Sequence, residues 1–134
     1  MVNEATLYFE TEVPIPFTCS ETTGIERGTL LKMATPMTVS AGVVLNDICG
    51  GIAAGEKIAS DGKTKIEVYR HGIFKVTASG SVAIGDPLVK SELTTNFVET
   101  AGTNDERVWG IALETVTNGQ TFLMELNPTT MQLA

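Results

Sequence analysis

Apolar positions in this chain come as short runs separated by clusters of Gly, Asp, Asn, Ser and Thr, and the clearest runs alternate with a period of two. Phe74, Val76 and Ala78 alternate with Lys75 and Thr77, so Ile73 to Ala78 reads as a strand with one buried face. It reads as one half of a strand pair turning at Arg70-His71-Gly72. Phe122, Met124 and Leu126 alternate in the same way, and Asn118-Gly119 supplies the turn that pairs this stretch with residues 108–114 as a hairpin. Asp61-Gly62 predicts a second two-residue turn, because both residues tolerate the positive φ of a type I′ turn. It would join residues 57–60 to residues 63–69, with Ile66 and Val68 sharing a face. Residues 78–81 read as a turn. No window sustains a helical period, and Val39 to Asn46 holds at most one helical turn. The pattern therefore predicts an all-β chain folded as a sandwich or small barrel.

The first residues read differently. Thr6 to Phe9 is weakly strand-like, and Val13-Pro14-Ile15-Pro16-Phe17 carries two prolines that fix φ, remove donors and keep their neighbours extended. Such a segment is neither helix nor central strand. It reads as an arm that reaches a neighbouring subunit or as an edge strand leading into the core. The expected organisation is an extended N-terminal arm over 1–23, a single β domain over 24–127 and a loose tail over 128–134. Within the domain, Gly51-Ile52-Ala53 returns as Gly110-Ile111-Ala112, 59 positions on, and Gly28-x-x-Leu31 returns as Gly85-x-x-Leu88, 57 positions on. A degenerate two-fold repeat of a small β unit explains both echoes.

Composition narrows the function. The chain has 134 residues, 13 glycines, only 19% charged residues and a formal charge of −7. One core suffices at this length. The acidic balance disfavours nucleic acid, whose phosphates are bound chiefly by Lys and Arg. No stretch approaches the roughly 20 apolar residues of a membrane span, and MVNEATLYFE has no signal-peptide pattern, so synthesis in a cytoplasm is expected. Cys19 and Cys49 form no CxxC or Cys/His cluster and read as buried thiols.

Catalytic chemistry finds little purchase. His71 is the single histidine, lies in a turn, and reads as a solvated residue rather than a general base. Neither a Gly-x-Ser-x-Gly elbow nor a nucleotide-binding loop is present. Thr103-Asn104-Asp105-Glu106 offers oxygen ligands without the spacing of a calcium loop. The expectation is a protein that binds and assembles, with no enzyme activity, cofactor or metal.

An ordered set of motifs adds to this reading: Gly50-Gly51-Ile52-Ala53-Ala54-Gly55-Glu56-Lys57-Ile58, His71-Gly72-Ile73-Phe74-Lys75-Val76, Ile84-Gly85-Asp86-Pro87-Leu88-Val89 and Trp109-Gly110-Ile111-Ala112-Leu113-Glu114. In that order they resemble the small capsid decoration, or cement, proteins of tailed bacteriophages, over residues 24–127. The resemblance implies a β-barrel or β-tulip domain, usually a homotrimer, on the outer capsid surface of the virion. There it would stabilise contacts between copies of the major capsid protein. Leu7, Phe9, Val13, Pro14, Ile15, Pro16 and Phe17 are then the expected capsid or subunit contacts, with Phe9, Val13, Ile15 and Phe17 as anchors and the prolines limiting the ordering cost. Other readings are a head fibre base, a tail component, or a small carrier or carbohydrate-binding module.

Overall fold

The computed structural model describes residues 3–41, 47–91, 96–102 and 107–130. These described residues form eleven strands: β1 (Thr6–Phe9), β2 (Ile15–Thr18), β3 (Leu30–Thr35), β4 (Thr38–Ser40), β5 (Cys49–Ala53), β6 (Lys65–Tyr69), β7 (Gly72–Ala78), β8 (Pro87–Lys90), β9 (Phe97–Thr100), β10 (Arg107–Ala112) and β11 (Thr121–Thr130). The all-β expectation holds, with two closed five-stranded barrels in place of one. The first runs β2-β4-β3-β5-β6; the second runs β7-β11-β10-β8-β9, closed by a β7–β9 pairing, with β1 added to the edge of β7. In each barrel one pair is parallel, β2 with β4 and β7 with β9, and the rest are antiparallel.

The two barrels repeat one topology, which is what the sequence echoes record. Leu30 faces Ile52 across β3 and β5, as Pro87 faces Ile111 across β8 and β10. The bridge between Ile25 and Lys57 returns as that between Val82 and Val116. Gly28 and Gly85, both at positive φ, each donate an N–H to the carbonyl of the alanine that ends Gly-Ile-Ala, Ala53 or Ala112. The glycine of that motif is required by close approach, because a Cβ on Gly51 or Gly110 would lie 2.2 Å from the carbonyl oxygen of Tyr69 or Glu125 on the next strand. The alanines turn inward, where the narrow barrels admit only a small side chain beside Leu31 or Leu88.

The barrels share packing. Leu31, Ala53, Phe17, Cys19, Val39, Ile66 and Val68 fill the first barrel. Leu30, Cys49 and Ile52 point the other way and join the core of the second barrel with Phe74, Trp109, Phe122, Met124 and Leu126. β5 is consequently buried at every position, which removes the alternation by which a half-exposed strand is recognised.

Four expectations are corrected. Residues 1–23 do not stand apart from the domain: β2 is a strand of the first barrel. Residues 57–60 form no strand, since Lys57 bridges Ile25 and β6 pairs with β5 and β2 instead; Asp61-Gly62 lies in the long connection from β5 to β6. Arg70-His71 does not turn a strand pair but links the two barrels, because β6 and β7 belong to different ones. Residues 128–130 continue β11 rather than a tail, pairing with Arg107 and Val108. The helical turn considered near Val39 meets β4 at Thr38–Ser40, and its remainder over 42–46 lies outside the described residues.

Candidate assembly surface

β1 sits on the rim of the second barrel, with Thr6 opposite Lys75, Leu7 opposite Phe74 and Phe9 opposite Ile73. Both of its faces are exposed, and its outer edge has no strand partner among the described residues. Leu7, Tyr8 and Phe9 follow one another there, with Tyr8 57% and Phe9 60% accessible and their rings meeting edge to face at 5.0 Å. An apolar edge strand with free backbone groups is a template for a further strand or an apolar groove on a partner. Val13 is 71% accessible and lies beside Ile15, Arg70 and His71 in a shallow groove that Glu12 also lines.

The segment between β1 and β2 is tethered by its carboxylates. Glu10 Oε2 accepts a hydrogen bond from the Tyr69 hydroxyl at 2.9 Å, and Glu12 pairs with His71 Nδ1. These contacts hold residues 10–12 against the link between the barrels. His71, the expected solvated turn residue, is therefore a partly exposed tether.

Of the expected contacts, Leu7, Phe9, Val13 and Ile15 are exposed, and Pro14 and Pro16 lie among them on the surface. Phe17 is not available: it is 2% accessible inside the first barrel, because it pairs with Ile66 on β6 and turns inward with Cys19. Pro16 has a distinct use. Glu67 opposite it spends its carbonyl on Ala54, just past β5, so the Pro16 nitrogen faces away from β6, onto the edge of β2 that β4 meets at Thr18 and that has no strand partner at Pro16 among the described residues. At the equivalent place in the second barrel Lys75 accepts β1 as a neighbour, whereas proline offers no donor there.

Sequence reasoning missed Tyr8, which continues an unalternating apolar run, and three residues of other kinds. Asn96, 3% accessible in the loop before β9, accepts from Leu30 N at 2.8 Å and donates to the Asn3 and Gly28 carbonyls at 2.8 and 3.0 Å, so one amide clasps the barrels together. Lys57 is buried, with Nζ donating to the Glu21 and Ile58 carbonyls and to Asp61 Oδ1 at 2.7, 2.6 and 2.7 Å. Three acceptors saturate the three ammonium protons. The hydrogen bond from Lys57 holds the Asp61 carboxyl below the usual range. Met37, exposed at positive φ, occupies the turn between β3 and β4.

Cys19 and Cys49 are buried free thiols in different cores, both pushed up by burial. No group of three or more His, Cys, Asp or Glu side chains is placed to hold a metal among the described residues. The calcium-like run over 103–106 lies outside them. No helix among the described residues is long and apolar enough to cross a membrane.

Two fused barrels, a rigid clasp and an exposed apolar edge strand define a structural assembly module. The chain belongs to the phage cement protein family, whose profile matches residues 10–126. Its role is accordingly to decorate and stabilise a phage head. Among solved structures it is similar in fold to the head fibre gp8.5 N base of bacteriophage phi29, with a TM-score of 0.56 and 17% identity over 89% of this chain and 98% of that one. No curated protein matches.

Proposed function

We propose that this cement protein acts as a homotrimer on the outer surface of the mature icosahedral head. There it ties neighbouring major capsid proteins together and catalyses no reaction. The observation that carries this reading is the exposed run Leu7-Tyr8-Phe9 on a strand whose outer edge has no strand partner among the described residues. Burying such a run against capsid protein removes apolar surface from water and satisfies backbone groups at the same time. Val13 extends the anchor, and Pro14 and Pro16 keep the chain extended beside it. Phe17 has no part. Many copies binding only the expanded lattice stabilise it by mass action against the outward pressure of packaged DNA. Synthesis in the host cytoplasm and later addition to the head fit a chain that needs no disulfide.

The likeness to a head fibre base favours a second reading, in which the module roots a fibre on the head. Mixing purified protein with undecorated expanded heads and with unexpanded heads tests the first. Co-sedimentation with expanded heads, lost when Leu7, Tyr8 and Phe9 are replaced by Ser in a folded variant, supports it. Failure of the parent protein to bind any head overturns it, and unchanged binding of the variant overturns the role of β1.

A further inference from the structure

The joint between the barrels is asymmetric in a way that leaves one half of a second such joint unused on each barrel. The first barrel contributes a socket: Leu30 and Ile52, each 1% accessible, and Tyr69, whose ring meets Phe74 at 5.4 Å. The second barrel contributes Asn96, hydrogen bonded to Leu30 N, and Phe74. Strand register gives the equivalents of all five residues in the other barrel. The socket of the second barrel is Pro87, Ile111 and Glu125, since Ile111 pairs with Pro87 and Glu125 as Ile52 pairs with Leu30 and Tyr69. The knobs of the first barrel are Met37, just before β4 as Asn96 is just before β9 and at positive φ like it, and Ile15, on β2 two residues before inward-facing Phe17 as Phe74 on β7 is before Val76.

Three residues of this second set are at the surface although their counterparts at the joint are buried: Ile111 is 42%, Met37 51% and Ile15 38% accessible, and Pro87 beside Ile111 is half-buried. A two-fold relation between the barrels would have buried Ile111 and Ile52 together. The relation is instead head to tail, and a head-to-tail interface continues until a ring closes.

We infer that copies of this chain join by repeating the internal joint, the Pro87–Ile111 face of one copy receiving the Met37 turn and Ile15 of the next. The differences between the two joints are complementary. Leu30 offers a backbone N–H, and its partner is the acceptor Asn96; Pro87 has none, and its partner is the thioether Met37. Glu125 stands where Tyr69 does in the inner joint, and the groove around Ile15 carries Arg70 beside the paired Glu12 and His71. The Arg70 guanidinium is thus the cation that Glu125 meets across the new contact, which favours the register. Closure with three copies makes a ring of six barrels, so the inference gives the proposed trimer its contact and rests on that self-association, not on head binding.

The test is the solution mass of Ile111→Glu and Met37→Glu, each of which alters one side of one joint at an exposed position. Multi-angle light scattering is expected to give a ring for the parent and a 14.2 kDa monomer for each variant. An equimolar mixture of the two variants retains one intact joint per pair and is expected to stop at a dimer. Ile58→Glu, at a position 69% accessible and outside both sets, is expected to keep the parent mass. Circular dichroism establishes that each variant is folded. A parent that stays monomeric, variants that keep the parent mass, or a mixture that does not pair overturns the inference. Head co-sedimentation of the parent reports separately on the proposed function.

Discussion

Replacing Asn96 by Ala tests how the barrels are held together. The side chain makes three hydrogen bonds in a buried setting. The Gly28 carbonyl retains a second donor, Ala5 N at 3.0 Å, so its loss is small. Leu30 N–H loses its acceptor, and a stranded buried donor costs about 1–3 kcal/mol. Asn96 also lies at φ 63, where asparagine is tolerated better than alanine, and this adds about 1–2 kcal/mol. The total is about 2–5 kcal/mol. For a chain of this length about 4 °C accompanies each kcal/mol, so the melting temperature should fall by roughly 8–20 °C. Asn96→Gly separates the two contributions, because glycine accepts the backbone and still loses the bonds; it should cost about 1–3 kcal/mol. Asn96→Asp keeps the acceptor but turns an oxygen toward the Asn3 and Gly28 carbonyls, and should be no better than Gly. Urea titration followed by Trp109 fluorescence measures all three, since Trp109 is buried in the core shared by the barrels. A change below ~0.5 kcal/mol for Asn96→Ala would refute the clasp.

The other predictions concern the same framework. Gly110→Ala places a Cβ 2.2 Å from a backbone oxygen and should destabilise by about 3 kcal/mol or more, whereas Gly55→Ala, with open space around it, should change urea stability little. Lys57→Met should cost about 2–3 kcal/mol, read by the same titration, through the loss of its charged hydrogen bonds. Asp61, its carboxyl held low by Lys57, contributes stability that is present above its unfolded value and lost as pH falls through its folded one. Asp61→Asn should therefore flatten the stability curve below about pH 4 and leave its acid limb shallower than the parent's. Both thiols should resist a thiol reagent in the native protein and react fully in denaturant, with burial opposing the thiolate; rapid native labelling of Cys49 would contradict its placement.

Much of this fold was legible where period and turn chemistry agree. Alternation in Phe74-Lys75-Val76-Thr77-Ala78 and in residues 121–126 marked β7 and β11, and Asn118-Gly119 marked their neighbouring turn. Gly119 alone takes positive φ there, with Gln120 N donating to the Thr117 carbonyl at 3.2 Å. The repeated Gly-Ile-Ala was a true structural echo, because each glycine lies against a neighbouring carbonyl and each alanine fills a narrow interior. Of the expected arm, Leu7, Phe9, Val13 and Ile15 are exposed, whereas Phe17 obeys the period of β2, and two prolines hid a barrel strand. Two barrels read as one because β5 is buried on both faces and shows no period. Asn96 and Lys57 left no signal, since a single polar residue in a loop looks alike whether it is solvated or clasps two buried backbones.

The most direct test of the account is the heat resistance of heads assembled without this chain. Such heads should release DNA at a lower temperature than decorated ones, and adding the purified protein should restore the difference, while the variant with Leu7, Tyr8 and Phe9 changed to Ser should not. Undecorated heads that hold their DNA as well as decorated ones, with no protein bound on addition, would contradict it.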